Sequence, residues 1–137
     1  MAKAVVKWIE GKKFLGVDST NHSVVLSTPD EGIGMKPSEL MLVALGACSS
    51  VDVIGILEKR KVKLTKYEVQ ISAEQAADPP WTFEKIHLNY ILAGQDLNEK
   101  DVAKAIELSE GKYCSVAATL KGKAQITTEF VIEPEDA

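Results

Sequence analysis

Residues Lys36 to Lys61, KPSELMLVALGACSSVDVIGILEKRK, form the one segment of this sequence that predicts a long helix with apolar residues on every face. Pro37 suits a first helical position because its φ angle is already fixed near the helical value. A helix that is apolar all round is either buried in a protein core or spans a membrane. Ser49 and Asp52 interrupt the apolar run and would be costly at mid-bilayer depth. We therefore interpret the segment as a core helix of a soluble protein.

The composition favours one soluble domain without a nucleic-acid or membrane partner. A chain of 137 residues can bury a sufficient core alone, so residues 1–137 are expected to form a single domain. The 16 basic and 20 acidic residues leave a net charge of -4, and no basic patch indicates a nucleic-acid surface. The N-terminal stretch MAKAVVKWIEGKK lacks the features of a secretion signal, so we expect a cytoplasmic protein.

Short runs of β-branched and aromatic residues on both sides of the helix predict strands. Before the helix, a glycine turn and a polar turn separate three segments that are typical of an antiparallel meander. After it, two segments alternate between apolar and polar residues and can pair with each other. The predicted strands are Ala4–Ile9, Lys13–Val17, His22–Ser27, Tyr67–Ala73 and Ile86–Leu92, with a last one at Ala124–Ile132.

Two shorter helices are predicted before the last strand. Asn98 is a suitable N-cap for an amphipathic helix that Gly111 can close in the left-handed conformation. A brief helix is predicted over Cys114–Leu120. The order of elements predicts an α+β fold in which the long helix packs under antiparallel sheet.

The two cysteines are the main candidates for chemistry. His22 and His87 do not lie at zinc-ligand spacing from Cys48 or Cys114, so no metal or cofactor is expected. In the cytoplasm a cysteine pair is normally reduced, and a disulfide that does form there is more often catalytic or redox-sensing than structural. From composition alone, two ordinary core residues are the favoured interpretation, because free cysteine packs as a small hydrophobe.

The local sequence predicts different acidities for the two thiols. Cys48 lies far from both ends of its helix in an apolar setting, which predicts a raised pKa, and Asp52 one turn later would oppose the thiolate further. Cys114 lies at a predicted helix start with Lys112 two residues before it, a setting that lowers a thiol pKa. The local argument therefore predicts that Cys114 is the more acidic thiol.

Two motifs resemble the OsmC/Ohr family of osmotically inducible and organic hydroperoxide resistance proteins. PSEL beginning at Pro37 leads into ALGAC ending at Cys48, and KYCSV surrounds Cys114. The resemblance spans almost the whole chain and implies an OsmC-like α+β fold, assembled as an intertwined homodimer around a long central helix. A hotdog-like thioesterase or dehydratase is an alternative from another fold, since that fold also wraps a sheet around one buried helix. It does not account for the repeated cysteine motif or the two later helices.

The resemblance also implies an activity. By analogy with the family, Cys48 attacks the O–O bond of an organic hydroperoxide, becomes a sulfenic acid and is resolved by Cys114 as a disulfide. A dithiol reductant of lipoyl or thioredoxin type then reopens the disulfide. The role implied is defence against oxidative stress.

The sequence departs from the hydroperoxide-resistance branch of that family at two activating positions. Arg60 is the only arginine, so the N-terminal strands have none, and the position ten before Cys48 is Ser38, with Glu39 one residue later. The motifs look closest to a less characterised OsmC-like branch. Two alternatives remain open: a slow peroxidase, and a non-enzymatic dimer that binds an apolar small molecule at its interface.

Overall fold

The computed structural model describes residues 1–135, in which six β-strands and three α-helices are formed. These residues fall into two compact units, Met1–Leu42 and Val43 to the end of the described chain, here called the N-terminal and C-terminal units. The single-domain expectation for residues 1–137 remains a prediction. The α+β fold class is confirmed.

The N-terminal unit contains a three-stranded antiparallel sheet in the order β1-β2-β3, which confirms the predicted meander. Gly11 makes the first turn with a φ of 51°, in the left-handed region that glycine tolerates. The sequence predicted that the third strand begins at His22, but His22 lies in the second turn and the strand begins at Ser23. The strands are β1 (Ala4–Glu10), β2 (Lys13–Asp18) and β3 (Ser23–Ser27).

The long helix α1 (Pro37–Lys59) begins in the N-terminal unit and continues in the C-terminal unit. Its bounds confirm the predicted core helix to within two residues at each end. The prediction that nearly all its faces are buried is wrong for the single chain, because one small sheet can cover only one face of a helix. The buried positions form one stripe: Leu45, Gly46, Ser49, Val53 and Leu57.

By length and composition α1 could also cross a membrane, the one such helix among the residues that the structure describes. Its polar residues have partners inside the fold. Ser49 Oγ hydrogen-bonds Tyr90 Oη, and Tyr67 Oη donates to Ser50 Oγ at 2.9 Å. These bonds join α1 to a sheet as part of a packed core.

The C-terminal unit has a second three-stranded sheet in the order β4-β5-β6, formed by β4 (Lys63–Gln75), β5 (Phe83–Gln95) and β6 (Gln125–Ile132). β4 and β5 pair antiparallel, as predicted. The alternation of β5 is also confirmed, since its inward residues are 2% exposed or less: Ile86, Leu88, Tyr90 and Leu92. These side chains form the core of this unit together with the buried stripe of α1.

The last strand corrects the prediction of purely antiparallel sheet, because β6 runs parallel to β5. Parallel neighbours need a crossover connection of a dozen or more residues. That connection is made here by α2 (Glu99–Leu108), a π-helical turn (Ser109–Tyr113) and α3 (Ser115–Leu120). The crossover places Cys114 between the π-helical turn and α3.

The ends of α2 are a partial success for the sequence. Asn98 is its N-cap, as predicted, and its side chain accepts a hydrogen bond from the Asp101 N–H at 2.9 Å. Gly111 does not close the helix in the left-handed conformation. The glycine with a positive φ in this region is Gly122, at 92°, which follows α3. The reason is that the chain continues through the π-helical turn, where the Cys114 N–H donates to Ser109 O at 2.8 Å.

Gly94→Ala is expected to destabilise the fold by about 1–3 kcal/mol, as overpacking typically does. A Cβ at Gly94 would collide with the Lys63 carbonyl oxygen and lie 2.9 Å from Leu64 Cα, and backbone atoms cannot swing aside. Gly111→Ala is the matched control, because a Cβ there has no neighbour within 4 Å. Urea unfolding should give a lower midpoint for Gly94→Ala only; equal midpoints for both variants would contradict the close approach of β4 and β5.

Candidate functional site: a cysteine pair beside the start of α3

Cys48 lies in the middle of α1, within the C-terminal unit, and is partly exposed. Its Sγ is 3.9 Å from Ser115 Oγ, at the first residue of α3. Cys114, the residue before, is buried with 2% of its surface exposed. Both cysteines are free thiols. The fold therefore places the two predicted site residues side by side, one open to solvent and one enclosed.

Cys114 is the N-cap of α3. Its Sγ accepts a hydrogen bond from the Ala117 N–H at 3.3 Å, so the thiol occupies the position that a serine or aspartate oxygen takes in many helices. The sequence KYCSV thus has a structural role as well, because it ends the π-helical turn and starts α3. The same turn directs the N–H groups of Ser115 and Val116 toward Cys48.

These contacts lower the pKa of the Cys48 thiol. The Val116 N–H is the largest cause, the Cys114 thiol and Ser115 add to it, and partial burial opposes them. The sequence had predicted a raised pKa because Cys48 is remote from the ends of its own helix. That prediction is wrong because the donors come from the start of a different helix, which the fold brings to the sulfur.

Burial raises the pKa of the Cys114 thiol, and the neighbouring Cys48 adds to the effect, while the Ala117 N–H opposes it. The predicted order of acidity is therefore reversed, and Cys48 is the more acidic thiol. Lys112 does not change this order, since its Nζ lies over the Tyr113 ring, 5.3 Å from the centroid. Desolvation outweighs the helix start for Cys114 because its sulfur is enclosed.

A chain of polar side chains beside the cysteines was missed by the sequence analysis. Ser109 Oγ donates to Asp52 Oδ2 at 2.9 Å and lies 3.2 Å from Ser49 Oγ, which in turn hydrogen-bonds Tyr90 Oη. Ser49, Ser109 and Tyr90 are all at most 4% exposed. The signal in the sequence was the presence of Ser49, Ser50 and Asp52 inside the apolar run of α1. Polar residues buried there need hydrogen-bond partners, but the sequence does not identify those partners.

The residues weighed as activators or ligands lie elsewhere. Arg60 Nη1 pairs with Asp101 Oδ1 at 2.9 Å, and Glu39 pairs with Lys36 Nζ at 2.8 Å. His87 Nε2 lies 3.0 Å from Glu129 Oε2 on neighbouring strands. Across residues 1–135, no three side chains of the metal-ligating types converge on one point. The chemistry that Cys48 and Cys114 together can perform is thiol–disulfide redox chemistry.

Comparisons with known proteins agree with the motifs. The family model described as OsmC-like protein matches residues 28–129. Protein YhfA of Escherichia coli strain K12 is 36% identical over 130 residues, which cover 95% of this chain and 97% of that protein.

Solved structures show the same fold. An OsmC-like protein from Mycoplasma pneumoniae superimposes with a TM-score of 0.79 at 15% identity, covering 96% of this chain and 95% of that one. The organic hydroperoxide resistance protein OhrB of Bacillus subtilis superimposes with a TM-score of 0.64 at 14% identity, covering 96% and 98%. At such identities the likeness concerns the fold alone, whereas the family model and YhfA carry the assignment. The chain belongs to the OsmC-like protein family.

Proposed function

We propose that this protein reduces organic hydroperoxides with Cys48 as the peroxide-attacking thiol and Cys114 as the resolving thiol. The observation that carries the proposal is the asymmetry of the pair. Cys48 is partly exposed and its pKa is lowered by the Val116 N–H, whereas Cys114 is buried beside it with a raised pKa. An exposed thiolate next to a protected thiol is the arrangement that peroxide reduction followed by disulfide formation requires.

In the first step the Cys48 thiolate attacks the terminal oxygen of the hydroperoxide. An S–O bond forms, the O–O bond breaks, and the alkoxide takes up a proton to leave as an alcohol. The sulfur is oxidised to a sulfenic acid and the peroxide is reduced. Ser115 Oγ, 3.9 Å from the sulfur, lies close enough to contact the oxygen that is transferred.

In the second step the Cys114 sulfur attacks the sulfenic sulfur of Cys48. An S–S bond forms, the S–O bond breaks, and the hydroxide leaves as water with the proton that Cys114 gives up. A dithiol reductant of lipoyl or thioredoxin type then attacks the disulfide, restores both thiols and is itself oxidised to a disulfide. Such a cycle suits the reducing cytoplasm.

The surface around Cys48 supports a preference for apolar hydroperoxides over hydrogen peroxide. Ala47 and Val51 flank Cys48 on α1, and both are exposed in the single chain, where Val51 retains 74% of its surface. In the homodimer proposed below, they would line an apolar site between Cys48 and the partner. Burying such side chains against an alkyl or aryl group stabilises the complex, and hydrogen peroxide offers no apolar group to bury.

A second copy of the chain is the partner that we propose for the exposed apolar side chains. Strand β1 is exposed along its whole length, and α1 exposes apolar residues at and beyond its first turns. Large apolar side chains exposed in such numbers are typical of an interaction site. A homodimer in which the N-terminal hairpin of one protomer packs on its partner would bury Val5, Val6, Trp8, Ile9, Met41, Val43 and Val51.

One observation favours a different function, a non-enzymatic dimer that binds an apolar small molecule. Arg60, the only arginine of the chain, is paired with Asp101, so Cys48 has no guanidinium to stabilise its thiolate or to bind a polar peroxide. A lysine point charge does not replace a planar guanidinium. In this function the two cysteines would be wall residues of the binding site.

Treating the reduced protein with tert-butyl hydroperoxide separates the two functions. We expect peroxide consumption that depends on added dithiol, and loss of both thiols as a Cys48–Cys114 disulfide, detected by peptide mass analysis under non-reducing conditions. Pretreatment with an alkylating agent is the control and should prevent consumption. Two free thiols and no consumption, with the fold intact, would leave the binding function as the better account.

A further inference from the structure

Beside the cysteines, the side chains of Ser49, Tyr90, Ser109 and Asp52 form a chain of hydrogen bonds in a part of the core where apolar residues are expected. Tyr90 is 2% exposed, and its Oη bonds to Ser49 Oγ, one residue after Cys48. Ser109 Oγ links Ser49 to the Asp52 carboxylate. Burying these polar groups costs free energy that their hydrogen bonds only offset. The peroxide chemistry at Cys48 uses none of them.

Tyr90 and the resolving thiol line the same small cavity. Tyr90, Cys114 and Glu110 line this cavity together with Ser49 and Thr128, and it measures about 10 Å³ for the centre of a water molecule. A space of that size holds one water at most. Burial raises the pKa of Tyr90, and the negative charges of Glu110, of an ionised Cys114 and of Asp52 add to the effect.

A second hydrogen-bond donor at the Cys114 sulfur would favour the resolving step. That sulfur must carry negative charge as it attacks, and it is enclosed, with the Ala117 N–H at 3.3 Å as a hydrogen-bond donor. Ser49 Oγ can donate to Tyr90 Oη, which leaves the phenolic hydrogen free to point into the cavity. A phenol that resists ionisation keeps this hydrogen throughout the range in which thiols ionise.

We propose that Tyr90 donates a hydrogen bond across this cavity to the ionised sulfur of Cys114 and so enables the resolving thiol to react. The inference rests on the proposed function, since it assigns Tyr90 to the second step of that cycle. Tyr90 keeps its proton throughout. The proton of Cys114 leaves with the hydroxide released from Cys48, as water. Ser49 is a positioning residue, because it acts by orienting Tyr90.

The titratable groups facing Tyr90 and Cys114 come from three elements. Cys48 and Asp52 face it from α1, Glu110 from the π-helical turn, and Tyr67 from β4. All of them remain in place when the Tyr90 hydroxyl alone is removed. A change in Cys114 ionisation in Tyr90→Phe, measured against a matched variant, therefore reports the hydroxyl and not the surrounding charges.

Tyr67 provides that matched variant. It lies on β4, its Oη donates to Ser50 Oγ at 2.9 Å, and burial raises its pKa to about 12. Tyr67→Phe also removes a phenolic oxygen that is hydrogen-bonded to a serine of α1. The Tyr67 side chain does not line the cavity beside Cys114. A general effect of losing a buried phenol would appear equally in both variants.

The first measurement is the ionisation of Cys114 in a Cys48→Ser background, followed by the ultraviolet absorbance of the thiolate against pH. Tyr90→Phe should raise the midpoint by about one pH unit, the scale of one hydrogen bond to a charged group. Tyr67→Phe should leave the midpoint unchanged. Because no peroxide is involved, this result stands even if the protein proves unable to reduce hydroperoxides.

The second measurement is the rate at which the Cys48 sulfenic acid is converted to the disulfide, followed by rapid quenching and mass analysis. Tyr90→Phe should slow this step about threefold at neutral pH, while the preceding peroxide step keeps its wild-type rate. One pH unit lowers the thiolate fraction about tenfold, and the more basic thiolate that remains is about threefold more nucleophilic. If Tyr90→Phe does not fold, Ser49→Ala should raise the midpoint in the same direction. An unchanged midpoint in the foldable variant, or an equal shift in Tyr67→Phe, overturns the assignment.

Discussion

Cys48→Ser is expected to abolish the dithiol-dependent reduction of organic hydroperoxides, whereas Cys114→Ser should still complete one turnover per site. A serine hydroxyl at position 48 would not ionise near neutral pH and so cannot replace the thiolate. Without the Cys114 thiol, the Cys48 sulfenic acid has no resolving partner and accumulates. Peroxide consumption by the two variants, together with trapping of the sulfenic acid by dimedone, measures both outcomes.

The same experiment tests which cysteine is the nucleophile. If Cys48→Ser is the variant that accumulates a sulfenic acid, on Cys114, the roles are reversed. The structure favours the assignment made here, because the Val116 N–H lowers the pKa of Cys48 while burial raises that of Cys114. The rate of the first step should therefore rise with pH and reach its plateau below the ordinary thiol pKa.

The absence of an arginine from the N-terminal strands predicts slow turnover, but other groups in the structure stabilise the Cys48 thiolate. Backbone N–H groups at the start of α3 supply part of the stabilisation that a guanidinium would give to the Cys48 thiolate. They do not supply a side chain that could bind the leaving oxygen. We therefore expect a reactive Cys48 whose peroxide reaction is limited by protonation of the alkoxide, since Arg60 remains paired with Asp101.

The long helix was the most predictable part of the fold because its signals are local. Pro37 fixes its first turn, Lys59 lies in its last, and the apolar run between them has a helical length. The alternation of β4 and β5 is local in the same sense. The direction of β6 is not, because apolar and polar residues alternate identically in parallel and antiparallel strands. The direction of β6 is set by the crossover through α2 and α3, which brings the chain back to the end of the sheet at which β5 begins.

The site was predictable in its residues and not in its electrostatics. The family motifs identified Cys48 and Cys114, and the fold brings them together. The acidity of Cys48 depends on donors that are distant in the sequence, since Val116 lies in α3, within the crossover between β5 and β6. Tyr90 could be predicted as an inward residue of β5, but its partner Ser49 lies on a helix whose rotation the sequence does not fix.

Val51→Glu is expected to convert a homodimer into a monomer, the largest effect on assembly that one substitution in α1 should produce. Val51 retains 74% of its surface in the single chain and lies three residues after Cys48. In the proposed dimer a carboxylate at this position would be buried without a partner, at a cost on the order of several kcal/mol. Val131→Glu on β6 is the matched control, since Val131 is 47% exposed and lies outside the proposed interface.

Light scattering at low micromolar concentration should give twice the 14.9 kDa chain mass for the wild type and for Val131→Glu, and the single chain mass for Val51→Glu. Because the partner would cover the surface around Cys48, alkylation of Cys48 should be faster in Val51→Glu than in the control. A wild-type monomer at this concentration would remove the dimer from the proposal. A dimeric Val51→Glu would instead move the interface away from this face of α1 and leave β1, with Trp8 exposed at 69%, as the surface that the second copy covers.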